Sequence, residues 1–560
     1  MKSKTSLFKK GIIISDLKRY WWISAIFSLG LLISIPLAHY MQKFSLEERH
    51  QEINLIKQSI QRELSFRSGV SVLFPFVVPI LIAVLTYRYI QKGRSASLYH
   101  SLPLTRTALY LNSFVSSLLL YIVPLLINVV VMLLLNCFSF LSDFYTVPLI
   151  FGWLGYSLLF GIMFMSMTIF VGMFTGSSIA QIAFVYILNF LPAFLYEVIR
   201  ANLSELLYGF STYSDTNFYH WLPMVRLYNN YEGFTPGIIA GYIVLTVLLA
   251  AAGLVAFKVR RPETAGDIIT FKPIKPVFII GVTVCSTLVG GAYFSMIGRS
   301  NLPSIIFGYF AGSLLGYIIV QMVTNKTFKV LKTYKGYLAY ALVMVILLLG
   351  IKFDVLGYVN KVPSSDQISE VYMGSNIYWW NDKDNLNSKF ASVYEDITVY
   401  TDKTDIRNIT NLHKIILENR SRNNNYYDYI AYKLKNGRKI IRYYGIDTNL
   451  YASALGPIYE SKEYKDSRYP ILHQEPENLK FIQIHDFSNN KPPVVISDKA
   501  KLQSFINAIR KDVNSFTYDE IVSGDADNHQ IEVTDIKDRI VNYALNSKYK
   551  NTLDWINSLN

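Results

Sequence analysis

The sequence predicts a polytopic α-helical membrane protein of about nine spans with a C-terminal extracellular α+β domain. Apolar stretches of membrane-crossing length recur up to Ile351, Lys and Arg gather in alternate connecting segments, and the polar chain beyond Lys352 holds no further stretch of that kind. Windows of about 19 residues place the spans near 21–40, 70–87, 109–135, 147–174, 178–199, 237–257, 277–297, 303–323 and 337–351, the last one short. The implied organisation is a cytoplasmic amphipathic interfacial segment at 1–20, a six-span core at 21–257, three additional spans at 258–351 and an accessory domain at 352–560.

Charge supplies the orientation. Up to Ile351 there are 27 Lys plus Arg against 12 Asp plus Glu, and beyond it 27 against 28, so the net charge of +14 belongs to the membrane half. With the N-terminus in the cytoplasm, the inner segments 1–20, 88–108, 175–177, 258–276 and 324–336 collect 19 basic residues and the outer loops eight. That asymmetry is the positive-inside bias, and an odd number of spans then puts the tail outside the cell. Basic residues beside hydrophobic spans meet anionic lipid, which argues against nucleic acid as a partner.

Each element has its own signal. Phe8, Ile12, Ile13 and Leu17 recur at helical spacing before the first span and suit an interfacial helix lying on lipid. Trp21 to Tyr40 is too long for the apolar core of a cleaved leader and reads as a retained span. Between the second and third spans the segment 88–108 carries Arg94 and the run Leu102, Pro103, Leu104, Thr105, Arg106; the proline stiffens it, and the arginines offer cations to an acidic cleft or to headgroups. Inside the spans the polar groups are mostly amides, Asn112, Asn128, Gln181 and Asn189, which suit interhelical hydrogen bonds or a weakly polar path. Phe218, Tyr219, His220 and Trp221 ahead of Pro223 suit an interface belt or an outer gate. Gly308, Gly312 and Gly316 form a stripe for close helix packing.

In the tail, Ile397–Tyr400 leads into Thr401, Asp402 and Lys403 and a helical pattern through Ile416; Val494–Ile496 leads likewise into Ser497, Asp498 and Lys499 and a pattern through Ile509. These two copies of strand, polar cap and helix read as a weak internal repeat. Between them Lys435, Asn436 and Gly437 mark a hairpin. Exposed aromatics at Tyr378, Trp379 and Trp380 suit an interface.

Enzymatic chemistry finds no motif. There is no GxxxxGK[ST] phosphate loop, no HExxH helix, no GxSxG elbow and no GxGxxG turn in context, and the eight histidines show no ligand spacing. Cys137 and Cys285 fall at predicted spans, so the tail has neither a disulfide framework nor a thiolate zinc site. No catalytic, metal or cofactor residue is expected in the chain.

The run Leu102-Pro103-Leu104-Thr105-Arg106, followed by Tyr110 and a long span containing Pro124, resembles the LP-x-[ST]-R stretch between the second and third spans of ABC transporter permeases of the type-2 exporter class. The likeness extends over about residues 1–260. The extra spans and the tail resemble a bacterial subgroup that ends in an exported domain of unknown function. The resemblance implies a non-enzymatic permease, paired with a second permease as homodimer or heterodimer, and coupled to a separate ATPase subunit that holds ATP and Mg. Phe8, Ile12 and Leu17 with Arg94, Leu102, Pro103, Thr105 and Arg106 would then meet the ATPase; Asn128, Asn189, Phe218, Tyr219 and Trp221 would line the pathway or its outer gate. The rival class is a membrane-tethered receptor whose tail senses an extracellular ligand, but nine spans exceed what an anchor needs.

Overall fold

The computed structural model describes residues 7–41, 53–67, 69–213, 222–229, 233–381, 398–420, 426–486, 493–522, 529–536 and 540–559. The chain divides into two compact units, Met1–Ile199 with Thr216–Leu342, and Arg200–Asp215 with Val343–Asn560. The second unit therefore includes a segment after the fifth predicted span as well as the expected tail.

The first unit is helical. α1 (Lys10–Leu32) continues through a π turn at Ile33–Leu37 to Met41, a single helix of 32 residues. No Gly or Pro interrupts the chain between Ile12 and Trp21, so residues 10–20 of the segment expected to be interfacial form one continuous helix with the first span. α2 (Ile53–Leu64), α3 (Gly69–Thr86), α4 (Gly93–Ser101), α5 (Arg106–Phe138), α6 (Val147–Phe174), α7 (Ser178–Leu206), α8 (Pro223–Tyr228), α9 (Pro236–Val259), α10 (Ile274–Ile297), α11 (Leu302–Asn325) and α12 (Tyr334–Lys352) follow. Among the described residues eight helices are long and apolar enough to cross a membrane; α3 is a shorter apolar helix with Pro75 and Pro79 inside it.

A proline inside a span leaves one carbonyl without its helical donor, and lipid offers no water to replace it. In α5 the residue is Pro124, which frees the carbonyl of Leu120; the hydroxyl of Ser24 on α1 donates to it at 2.7 Å. The same crossing stacks Phe27 on Tyr121 with ring centroids 5.6 Å apart. At the end of α1, buried His39 places Nδ1 2.7 Å from the Tyr145 hydroxyl and Nε2 3.1 Å from Glu63 of α2.

The glycine stripe packs as its spacing predicts. A Cβ on Gly308 would lie 2.3 Å from the carbonyl oxygen of Gly290 on α10, and one on Gly312 would lie 2.4 Å from that of Ser286. Backbones that close leave no room for a side chain. Gly308→Leu should therefore separate α10 from α11 and cost about 3 kcal/mol, read as a lower thermal midpoint of the detergent-solubilised chain. Gly281→Leu, at a position with open space around it, should leave the midpoint in place.

The second unit contains two four-stranded antiparallel sheets with the same order. In the first lobe, β1 (Ile368–Gly374), β2 (Val399–Tyr400), β3 (Tyr427–Leu434) and β4 (Lys439–Gly445) run β2-β1-β3-β4. The short helix α13 (Ile377–Asn381) follows β1, α14 (Lys403–Asn419) lies between β2 and β3, and α15 (Ala452–Tyr459) and α16 (Lys462–Arg468) follow β4. In the second lobe, β5 (Leu479–Asp486), β6 (Val494–Ile496), β7 (His529–Asp535) and β8 (Ile540–Leu545) run β6-β5-β7-β8. There α17 (Lys499–Ser515) lies between β6 and β7, α18 (Tyr518–Val522) precedes β7, and α19 (Lys550–Asn557) follows β8. The expected repeat is thus larger than strand, cap and helix. α14 and α17 both have 17 residues and begin behind an aspartate whose carboxylate caps them, Asp402 and Asp498. Even the register shift on the inner strand recurs, between Ile368 and Glu370 in one lobe and between Leu479 and Phe481 in the other. The predicted hairpin joins β3 to β4, with the positive φ taken by Gly437 at +81°.

Candidate functional site

The run Leu102 to Arg106 belongs to a basic end of the first unit, built by two arginines acting on carbonyls. The segment expected to be a loop at 88–108 is mostly helical: a 3-10 turn at Arg88–Gln91, then α4, then the four residues Leu102 to Thr105, which lead into α5. Gly93 begins α4, and Pro103 keeps that helix from continuing into α5. Thr105 is the N-cap of α5, its hydroxyl accepting from the Ala108 amide at 3.1 Å. Arg106, the first residue of that helix, turns across to the end of α9 and donates to the carbonyls of Lys258 at 2.7 Å and Arg260 at 2.8 Å, with Phe257 at 3.4 Å. A guanidinium there satisfies orphan carbonyls and complements the negative end of the helix dipole.

Arg260 carries the pattern further. Its side chain is buried and donates to the carbonyls of Gly172 at 2.6 Å and Met173 at 3.3 Å, at the end of α6, and to Ile90 at 3.1 Å, in the turn before α4. Burial lowers its pKa to about 10, so it stays charged at neutral pH. Beside it Gln91 donates to Gln181 on α7 at 2.5 Å and accepts from the Ser178 hydroxyl, while Gln181 donates to the carbonyl of Thr168 on α6 at 2.8 Å. Tyr87 donates to the carbonyl of Tyr110 at 2.7 Å, and Tyr110 to that of Ala250 at 2.8 Å. Segment 87–106 is thereby fastened to α5, α6, α7 and α9.

What remains outward is a small surface on α4 and its exit. Arg94, Leu102 and Pro103 are exposed, and Leu98 is 65% exposed although apolar. Sequence reasoning named Arg94, Leu102 and Pro103 but missed Leu98, whose signal needs α4 to be recognised as a helix with Arg94 and Leu98 one turn apart. It also missed Arg260 and Gln91, which carry no local motif.

The remaining named residues are dispersed. Ile12 and Leu17 pack against the unit's core, whereas Phe8 is exposed. The start of α1 is held by Asn112, which donates to the Leu7 carbonyl at 3.0 Å and accepts from the Lys9 amide at 2.8 Å. Asn128 is buried and donates to carbonyls of Ser28 and Pro124; Asn189, also buried, donates to the Val185 carbonyl and the Met167 sulfur. Both amides are thus engaged between or along helices. Phe218, Tyr219 and Trp221 lie outside the described residues, as does the side chain of Trp379. An apolar groove of about 570 Å³ lies between α6 and α9, lined by Gly152, Gly155, Tyr156, Leu159, Ile239 and Ile243 among others. Among the described residues no three His, Cys, Asp or Glu are placed to hold a metal ion.

The eight apolar helices of membrane-crossing length among the described residues mark a multi-pass membrane protein. The chain is 23% identical over 247 residues, 41% of its own length and 71% of the relative's, to the probable ABC transporter permease YtrD of Bacillus subtilis (strain 168). Residues 432–552 match a family described as a domain of unknown function, DUF6449, which begins within β3 and runs through the second lobe. No solved structure matches the chain significantly.

Proposed function

We propose that the chain is the permease subunit of an ATP-binding-cassette exporter in the cell membrane, working with a second permease and with separate ATPase subunits that hold ATP and Mg. The observation that carries this reading is the bracing of segment 87–106. Arg94, Leu98, Leu102 and Pro103 offer a mixed cationic and apolar contact, and Arg106 and Arg260 tie the same segment to the ends of α9 and α6. A push on α4 is then delivered to several spans as one body, which switches access between the two faces of the membrane. The positive-inside pattern places this end in the cytoplasm, where an ATPase would be. The groove between α6 and α9 and the scarcity of charge within the spans favour an apolar or amphipathic substrate.

The same reading puts the tail outside the cell. Residues 200–213 fold with the tail in the second unit, which supports a reading with both on one side of the bilayer. Four membrane-crossing helices, α9 to α12, separate them in sequence, and an even number returns the chain to the side it left.

An ATPase bearing a phosphate loop should co-purify with the tagged chain. Leu98→Asp combined with Arg94→Glu should abolish that association while the chain still inserts into the membrane, because neither side chain is buried. If no ATPase co-purifies, or the double variant retains it, the permease reading fails in favour of a tethered receptor.

A further inference from the structure

The two lobes of the second unit are an internal control on each other. Their registers align them residue by residue: Val371 pairs with Tyr432 where Ile482 pairs with Val533, and Asp428 pairs with Tyr444 where His529 pairs with Leu545. The eleventh residue of the inter-strand helix is His413 in α14 and Ile509 in α17. At one site in the core the first lobe therefore has His413, Tyr432 and Tyr444, and the second has Ile509, Val533 and Leu545. All six are buried. In the first lobe His413 lies between the two phenols, Nδ1 2.9 Å from the Tyr432 oxygen and Nε2 2.8 Å from that of Tyr444. The second lobe builds the same architecture with aliphatic residues, so folding does not require the polar triad. Burying an imidazole and two hydroxyls is less favourable than burying three aliphatic chains unless something else needs their geometry.

That something is the chain segment after α7. Gly209 lies so close to Tyr444 that a Cβ there would come within 2.2 Å of the ring, and its φ of +74° suits glycine. Tyr208 packs against the same ring at 5.3 Å, the Tyr443 amide donates to the Gly209 carbonyl at 3.2 Å, and Phe210 forms an antiparallel bridge with Arg442. Arg442, buried, lies over the Tyr358 ring at 3.9 Å and donates to the Tyr358 carbonyl at 2.8 Å. The edge of β4 thus holds both the segment after α7 and the segment after α12. In the second lobe the residue equivalent to Arg442 is Tyr543, whose hydroxyl instead accepts from the Ile471 amide.

We infer that the first lobe is a clamp for residues 208–210 of this chain, in which His413 and Tyr432 are positioning residues that orient Tyr444 to seat Gly209. Burial and the nearby Arg442 hold His413 neutral, with its pKa lowered to about 3, so the clamp stays set across the physiological range. The tail is consequently tied to the segment leading out of α7, and motion of one is passed to the other.

The test uses the full-length chain in detergent, with Cys137→Ser and Cys285→Ser as background. Ser211 is 8% exposed beside the clamped residues, so a thiol placed by Ser211→Cys should react slowly with a maleimide. Introducing the second lobe's residues through His413→Ile, Tyr432→Val and Tyr444→Leu should raise that rate by about tenfold or more as the segment opens locally. Gly209→Val replaces no residue of the lobe's core and should give the same release, which guards against misfolding of the triple variant. A maleimide that reacts rapidly without any clamp substitution, or protection that persists with Gly209→Val, would overturn the inference. Neither outcome depends on an ATPase partner, so the clamp and the permease reading stand or fall separately.

Discussion

Arg260→Ala should collapse the basic end of the membrane unit. The substitution removes a buried charge-assisted donor from the carbonyls of Gly172, Met173 and Ile90, and buried acceptors left unpaired together cost about 3–5 kcal/mol. Thr270 also donates to Met173 at 2.9 Å, so the loss falls mainly on Gly172 and Ile90. The expected result is a lower thermal midpoint of the solubilised chain and loss of any bound ATPase, because segment 87–106 loses its fastening to α6. Arg260→Lys should recover part of the stability, since an ammonium can reach one carbonyl but lacks the planar fork. An unchanged midpoint for Arg260→Ala would show that those carbonyls find other partners.

Asp512→Ala should unfold the second lobe of the tail. Its carboxylate is 1% exposed and accepts four hydrogen bonds: from the Asn551 amide and Nδ2 at 2.9 and 2.6 Å, and from the Thr552 amide and hydroxyl at 2.8 and 2.7 Å. Asp512 thus caps the first turn of α19 from within α17. Its removal strands four donors and should cost about 3–5 kcal/mol. Asp498→Ala removes a solvent-facing cap of α17 and should cost only about 1 kcal/mol. Hydrogen exchange of the β5 and β7 amides reports the difference: protection should fall sharply in Asp512→Ala and little in Asp498→Ala. Equal protection in the two variants would refute the assignment.

Eight apolar helices of membrane-crossing length, the hairpin at Gly437, the aspartate caps and the glycine stripe were legible in the sequence. Each depends on residues close together in the chain: a run of apolar side chains that lipid rewards, a turn that needs positive φ, a carboxylate two or three residues from an orphan amide, a spacing of four along one helix face. It also located Arg106, through a short motif, while leaving open what the guanidinium touches. Packing in three dimensions was needed to see that Arg106 and Arg260 hold the ends of α9 and α6, that α4 presents Leu98, that Asp512 caps a neighbouring helix, and that residues 208–210 sit on β4. Those contacts join residues 39 to 236 positions apart, and a side chain's partner at such separations is set by which backbones converge, not by local propensity. The repeat lay between the two cases. Its helices and caps were legible, but the equivalence of His413 with Ile509 emerged from strand register, because the two lobes share their strand pairing while their cores differ in chemistry.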